Sequence, residues 1–203
     1  MKRTLSLCFL FIIFGTSLFC DTFTFRANHM TGGRATGKEV MILTGAAEVQ
    51  SDNLNLYADR IEILGEDNQF VECIGNVRGR DDEQGIIFYT DRLRYDRKLK
   101  IARLEGNSTM EDTKNEVVAK GRFIEYNDET EIAIIQVSVR LFKDKMVCRS
   151  EYALYRREEK TLDLSGFPVV YKNNDEFRAE KMQVDLDTED VIMEGDVSGT
   201  IKE

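Results

Sequence analysis

The 203-residue sequence contains few residues of several kinds: no tryptophan, one proline, one histidine and four cysteines. A scarcity of proline suits long β-strands, because proline has no N–H group to donate to a neighbouring strand. No serine, cysteine or carboxylate pair has a matching histidine or a suitably spaced partner, and no glycine-rich phosphate loop precedes a helix. The sequence therefore predicts no enzyme, no metal site and no cofactor.

The chain also has fewer basic than acidic residues. The chain has 28 Lys and Arg against 37 Asp and Glu, a formal net charge of −9. Binding to nucleic acid needs a basic surface that faces the phosphates, so the composition excludes nucleic acid as a predicted partner. The same acidity disfavours simple electrostatic docking on anionic lipid headgroups.

The amino terminus has the composition of an export signal. Lys2 and Arg3 precede an almost unbroken apolar run over residues 5–14, which is followed by small residues. We therefore interpret residues 1–20 as a signal peptide and residues 21–203 as one exported domain, which is long enough to bury a sizeable core.

Two alternatives to cleavage of this leader stay open. The leader could be retained as an inner-membrane anchor, although its apolar run is shorter than the about 20 residues that usually span a bilayer. Cys20 could carry a lipid, although the bulky Phe19 before it disfavours a lipoprotein site. The predicted location is therefore the periplasm, with membrane anchoring or lipidation as the alternatives.

A short sequence motif, here called a phrase, occurs six times along the chain. It consists of an apolar strand with a small residue at its centre. Neighbouring copies lie 29 to 31 residues apart, and Gln136 takes the place of glycine in the fourth copy. A fixed period of this length predicts stacked copies of one structural unit. The central residues are Gly45, Gly75, Gly106, Gln136, Gly166 and Gly195.

A second phrase ending in an apolar residue lies between the glycine strands. Around both phrases apolar and polar residues alternate, which predicts strands with one apolar face, and polar clusters between them predict turns. The unit therefore predicts two sheets packed face to face, or one sheet folded along an edge. The second phrases are Ala58-Asp59-Arg60-Ile61, Thr90-Asp91-Arg92-Leu93, Lys120-Gly121-Arg122-Phe123, Arg149-Ser150-Glu151-Tyr152 and Ala179-Glu180-Lys181-Met182.

Three single residues add local expectations. Pro168 lies in a glycine strand, so we expect an irregularity of the sheet there. Cys73 and Cys148, which follow the leader, would be about 12 Å apart along the stack, farther than a disulfide spans. They are predicted to be two buried thiols.

The two phrases together resemble the OstA-like family, which includes the periplasmic protein LptA, the anchored protein LptC and the amino-terminal domain of LptD. The resemblance is carried by strands such as Ile74-Gly75-Asn76-Val77 and Thr90-Asp91-Arg92-Leu93-Arg94-Tyr95, and it extends from about Phe25 to Ile201. The departures are Gln136 and the segment 149–151. They put the regularity of the fourth repeat in doubt, and not the fold.

The resemblance implies an all-β fold, a twisted open β-jellyroll of about six stacked ~30-residue repeats of antiparallel strands. In that family the interior holds acyl chains, and the jellyrolls stack end to end across the periplasm. The implied function is a bridge component that carries lipopolysaccharide or a similar glycolipid towards the outer membrane. The alternatives are an LptC-like subunit anchored in the inner membrane and a non-transporting structural scaffold of the cell envelope.

Implied partners are LptC-like and LptD-like jellyrolls, or further copies of this chain joined head to tail. The last strand, residues 193–201, is predicted to offer an uncapped edge to which another strand can add. Composition leaves open whether the interior is a packed core or an open trough. The residues predicted to line it are Val49, Leu56, Ile61, Ile63, Val77, Phe88, Leu93, Tyr95, Leu104, Phe123, Leu154, Val170, Met182, Val184 and Val197.

Overall fold

The computed structural model describes residues 23–35, 38–51 and 53–202. The predicted leader and Cys20 lie outside these residues. Within the described part, no helix is long and apolar enough to cross a membrane. The regular elements there are a short 3-10 turn, Glu66–Asn68, and the strands β1 Thr24–Arg26, β2 His29–Ala35, β3 Lys38–Gln50, β4 Leu54–Leu64, β5 Phe70–Asp81, β6 Ile86–Asp96, β7 Ile101–Asp112, β8 Val117–Asn127, β9 Ile132–Lys143, β10 Met146–Arg156, β11 Thr161–Ser165, β12 Val169–Lys172, β13 Asp175–Arg178, β14 Lys181–Asp185, β15 Val191–Glu194 and β16 Ser198–Thr200.

The strands of the described part form one antiparallel sheet of sixteen strands. From β3 to β10 each strand pairs with the next one along the chain, so the sheet is a meander. Such a meander follows directly from the sequence, because each alternating run is joined to the next by a short polar turn.

Each long strand is interrupted near its middle by a β-bulge. In β5 the pairing register with β4 and β6 shifts around Gly75 and Asn76, whose φ angles of 77° and 48° lie in the left-handed region. Glycine enters this region without a steric penalty. The recurring central glycine therefore marks the place where the sheet folds over, and we call this place the corner of each repeat.

The corners divide the sheet into two half-sheets. Half-sheet A runs from the corners to the turns at 65–69, 97–100, 128–131 and 157–160, and half-sheet B runs to the turns at 82–85, 113–116 and 144–145. Beyond β10 the strands no longer cross the corner. Instead β11, β14 and β15 extend half-sheet A, whereas β12, β13 and β16 extend half-sheet B.

The change after β10 coincides with the predicted irregularity at Pro168. Strand β11 ends at Ser165 and β12 begins at Val169, so the chain crosses this corner as a break in the strand. Pro168 is buried there and supplies no N–H group for a ladder hydrogen bond.

The apolar faces of both half-sheets point inward and form one core cluster. The predicted all-β, twisted open jellyroll is therefore confirmed. Cys73 of half-sheet A and Cys148 of half-sheet B are buried in this core as free thiols. Burial raises the pKa of each thiol to about 12, so both stay protonated at neutral pH.

The fourth repeat corrects the alignment read from the sequence. The left-handed corner pair in β9 is Val137 and Ser138, with φ angles of 63° and 58°, so Val137 and not Gln136 holds the glycine position. In β8 and β10 the second phrase also begins one residue later than predicted, because the unpaired bulge residue is Arg122 in β8 and Glu151 in β10. Strands β9 and β10 nevertheless run on without a break.

Candidate functional site

Most of the residues predicted to line the interior do point into it. Their side chains are buried, or in the case of Tyr95 partly buried, between the two half-sheets. They come from seven strands, β3 to β7, β12 and β14, and lie in or against one core cluster. These residues are Val49, Leu56, Ile61, Ile63, Val77, Phe88, Leu93, Tyr95, Leu104, Val170, Met182 and Val184.

Three predicted lining residues do not face the interior. Phe123 and Leu154 lie on the outer face, because the later corners in β8 and β10 shift the alternation by one residue; Ile124 and Ala153 are buried in the inward positions. Val197 lies between β15 and β16, and 54% of its surface is exposed. There the chain has left the ladder, so strand alternation no longer sets the direction of the side chain.

A cavity of about 280 Å³ opens between the half-sheets near the amino-terminal repeats. Its apolar lining comes from both sides, with Val49 and Leu56 on half-sheet B and Ile63, Val71 and Tyr95 on half-sheet A. This volume is close to the lower end of the about 300–1,000 Å³ of typical ligand pockets. The interior in this section is therefore not fully packed.

The rim of this cavity is polar and carries charges of both signs. Asp81, Glu83 and Asp128 line it together with Arg97 and Lys100. The Oδ1 atom of Asp128 is buried and has no hydrogen-bond partner among the described residues. Burial, followed by the nearby negative charge of Asp81, raises the pKa of Asp128. The described residues contain no group of three His, Cys, Asp or Glu side chains placed to hold a metal ion.

A smaller space of about 40 Å³ continues from this cavity along the interior. Phe88 and Leu93 line it, and Tyr126 and Asp128 border it towards the next repeats. Tyr126 is the first residue of an ionic network that joins the two half-sheets. The open section therefore ends near β8.

The ionic network consists of Asp112, Tyr126, Tyr155 and Arg157. Asp112 ends half-sheet B in β7, and Arg157 follows half-sheet A in β10. The Nε and Nη2 atoms of Arg157 donate to the two carboxylate oxygens of Asp112 at 2.7 and 3.2 Å. The same guanidinium donates to the hydroxyl of Tyr126 at 2.8 Å, while the hydroxyl of Tyr155 donates to Asp112 at 2.9 Å.

Almost no solvent reaches this network: the side chains of Arg157 and Asp112 are 2% and 0% exposed. Burial alone would raise the pKa of Asp112, but hydrogen bonds from Arg157 and Asn115 and the charge of Arg157 outweigh it and hold the pKa below its ordinary value. The pair is therefore ionised at neutral pH. The Nη2 atom of Arg157 also donates a hydrogen bond to the backbone carbonyl of Gln84 at 2.9 Å, which joins the network to the turn at 82–85.

Sequence reasoning missed this network. Arg157 stands in the charged run 156–160, which resembles an ordinary solvated turn, and Asp112 ends a strand as turn residues often do. The two are 45 residues apart and meet only because the sheet folds over. Val71, which lines the cavity, was signalled by its alternating strand but was not among the predicted residues.

Comparison with known proteins identifies the family of this jellyroll. The model of the OstA-like protein family matches residues 21–187. A solved structure that matches is LptH of Pseudomonas aeruginosa, described as the LptA homologous periplasmic component of the lipopolysaccharide transport device; the match covers 90% of this chain and 96% of that chain, at 11% sequence identity and a TM-score of 0.27. A search of curated proteins gives no match. Since the family model covers most of the sequence, the chain belongs to the OstA-like family.

Proposed function

We propose that the chain is a periplasmic component of a lipid-transport bridge, which carries lipopolysaccharide or a similar glycolipid towards the outer membrane. The observation that carries this proposal is the apolar interior that opens into a cavity between Leu56 and Ile63. Burial of acyl chains there is favourable by about 25 cal/mol per Å² of apolar surface removed from water. No catalytic step is needed, because a lipid enters and leaves the open amino-terminal section by binding alone.

The polar rim suits a lipid with a hydrophilic headgroup. Acyl chains would lie between the half-sheets, while the headgroup would stay at the mouth beside Lys100 and Asp128. Lys100 is exposed at this mouth and supplies a cation for an anionic headgroup. Membership of the OstA-like family supports the same reading of the interior.

The ends of the sheet support end-to-end association with other jellyrolls of this family or with further copies of the chain. Among the described residues, β15 pairs only with β14, and β16 pairs only with β13. Unpaired strand edges accept the backbone of another strand. Ile192 and Val197, which are 60% and 54% exposed, lie at this edge.

Residues 1–20 are proposed to direct export to the periplasm. The mass of the mature amino terminus separates the versions of this proposal. A chain that starts shortly after the leader supports a soluble bridge protein, an intact leader supports an anchored subunit, and a lipid adduct on Cys20 supports a lipoprotein.

Site-specific photocrosslinking in cells tests the transport proposal. A photoreactive residue at Ile63 is expected to form a lipid adduct that contains the headgroup of the cargo, because Ile63 lines the cavity. The matched control is Glu62, the neighbouring residue on the outer face of the same strand, which pairs with Arg60. Absence of lipid adducts at both Ile63 and Leu93 would contradict the proposal and favour a structural scaffold. A yield of lipid adducts at Glu62 equal to that at Ile63 would do the same.

A further inference from the structure

The corner between β8 and β9 differs from the other corners in charge. At four corners an acidic side chain lies against the central glycine, as Asp59 does at Gly75 and Asp91 at Gly106. The equivalent bulge position in β8 is Arg122. The fourth repeat therefore presents a cation at this bulge position, where its neighbours present an anion. Glu151 of β10 also reaches this corner and accepts a hydrogen bond from the backbone N–H of Ser138 at 3.2 Å. The remaining acidic corner pairs are Glu151 at Gly166 and Glu180 at Gly195.

The strand register adds more cations to the outer face at this corner. Lys120 of β8 lies directly opposite Arg140 of β9, and Arg140 lies directly opposite Arg149 of β10. Like charges directly opposite each other destabilise an antiparallel pair. A bound anion would remove this repulsion, and the chain is otherwise strongly acidic, with a formal net charge of −9.

The cations at this corner have no carboxylate partner. Lys120, Arg122 and Arg140 form no ion pair with the described residues; Lys120 lies over the ring of Phe142 at 5.7 Å. On the outer face of half-sheet A, by contrast, several cations have a carboxylate partner, as in the pair of Arg103 with Glu125 at 2.7 Å. The other neutralised cations there include Arg92 and Arg94, which pair with Glu72, and Arg156, which pairs with Asp163.

The three cations share a shallow cavity with neutral polar groups. The cavity has a volume of about 210 Å³, and Asn107, Thr109 and Ser138 line it together with Lys120, Arg122 and Arg140. The side chains of Asn107, Thr109 and Ser138 are hydrogen-bond donors as well as acceptors. Guanidinium groups present forked donors that match the oxygens of a phosphate.

We propose that this corner is a binding site for a phosphate group, held by Lys120, Arg122 and Arg140 on the outer face of the jellyroll. A phosphate monoester carries two negative charges near neutral pH and three acceptor oxygens, which suits three cations and adjacent hydroxyl donors. The site lies on the opposite face of the sheet from the lipid cavity. It therefore goes beyond the transport proposal and does not depend on lipid in the interior.

The test is a titration monitored by the amide resonances of the protein as purified from cells. Glucose 1-phosphate, inorganic phosphate and phosphatidylglycerol vesicles are added in parallel, with ionic strength held constant by sodium chloride. The first two probes have no acyl chain, so their binding does not depend on whether the interior of the jellyroll binds lipid. Binding by glucose 1-phosphate or phosphate identifies a soluble source, and binding by the vesicles alone identifies a lipid headgroup.

The site is removed by the triple substitution K120Q/R122Q/R140Q. Its matched control, K98Q/K145Q/K202Q, removes three charges from exposed positions away from the corner. The proposal expects saturable shifts of amides at 107–109, 120–122 and 138–140, with affinity lowered at least about tenfold in the triple variant and retained in the control. Thermal unfolding shows whether both variants are folded.

Two results would overturn the assignment. One is that no phosphate probe shifts the corner amides of the unmodified protein. The other is that the control variant loses as much affinity as the triple variant, since binding would then follow net charge and not these three side chains.

Discussion

The amino-terminal and middle sections of the interior are built from the same repeating strands, yet only the first is open. In the first section Ile63, Val71 and Tyr95 line a cavity of about 280 Å³. The same cross-strand row continues into the middle section as Ala102, Tyr126, Ala133 and Tyr155, with tyrosine and alanine in alternation. There the two tyrosine hydroxyls reach Arg157 and Asp112, and the mouth is closed.

The comparison shows that side chains at the free ends of the strands and in the adjoining turns decide whether a repeat is open. The strand phrases are similar in both sections, whereas the turn at 157–160 contributes Arg157 and the turn at 97–100 contributes cations that stay at the rim. A repeat fold can thus keep a regular sheet and vary its interior through a few residues at the free ends of the strands.

Removal of Arg157 should have the largest effect, because it leaves the buried Asp112 without its cation. Arg157→Ala is expected to lower the free energy of unfolding by about 3–5 kcal/mol. The control is Arg103→Ala, which breaks the more exposed pair with Glu125 and should lower the same free energy by only about 0.2–1 kcal/mol. Urea denaturation measures both, and equal losses would contradict a special role for the closed section.

Asp112→Asn tests the same ion pair through the pH dependence of the free energy of unfolding. At pH 7 we expect a loss of about 3 kcal/mol, because the neutral amide pairs poorly with Arg157. The pKa of Asp112 in the folded protein is lowered, so its stabilisation is present above the unfolded pKa of about 3.9 and is lost as pH falls through the folded pKa.

The difference in stability between the unmodified protein and Asp112→Asn should therefore shrink below about pH 4. Urea denaturation at a series of pH values gives this difference directly. A difference that stays constant from pH 7 to pH 3 would mean that the charge of Asp112 does not stabilise the closed section.

Packing gives a third contrast between the two sections. Ala133 is fully buried between Tyr126 and Tyr155, so Ala133→Leu should overfill the closed section and lower stability by about 1–3 kcal/mol. Val71→Leu adds volume beside the cavity, where space is free, and should change stability by less than about 1 kcal/mol. Thermal unfolding of the two variants would contradict the comparison if Val71→Leu were the more damaging.

Substitution of Asp128 should have the smallest effect, a rise in the free energy of unfolding. Its buried Oδ1 atom lacks a partner, so Asp128→Asn should stabilise the protein by about 1 kcal/mol at pH 7. Because the folded pKa is raised, the penalty appears as pH rises through the unfolded pKa of about 3.9 and is absent below it. The gain should therefore disappear near pH 3, and a gain that persists in acid would exclude the charge as its cause.

The fold could be read from the sequence because its two main signals are local. The central glycines mark the corners, and the alternation of apolar residues gives the inward face within each half-strand. That alternation correctly directs residues such as Ile63 and Leu93 inward. It fails at Phe123 and Leu154, because the corners of β8 and β10 come one residue later than the phrase suggests and reverse the facing of the following residues.

The features that distinguish one repeat from another could not be predicted in this way. The ion pair of Asp112 with Arg157 joins the ends of different half-sheets, and its geometry depends on how the whole sheet folds. The cations at the β8–β9 corner become neighbours only through strand register. A periodic pattern describes what the repeats share, whereas these contacts depend on where individual repeats depart from it.

The central claim is that acyl chains enter the amino-terminal section and not the closed one. The most direct measurement is the set of nuclear Overhauser contacts between the acyl chains of a bound lipid and methyl-labelled protein. We predict contacts to Val49, Ile63 and Val71, which line the cavity, and none to Ile135 and Leu141, which are fully buried in the closed section. Contacts of equal strength to both groups, or no contacts to the cavity methyls, would contradict this account.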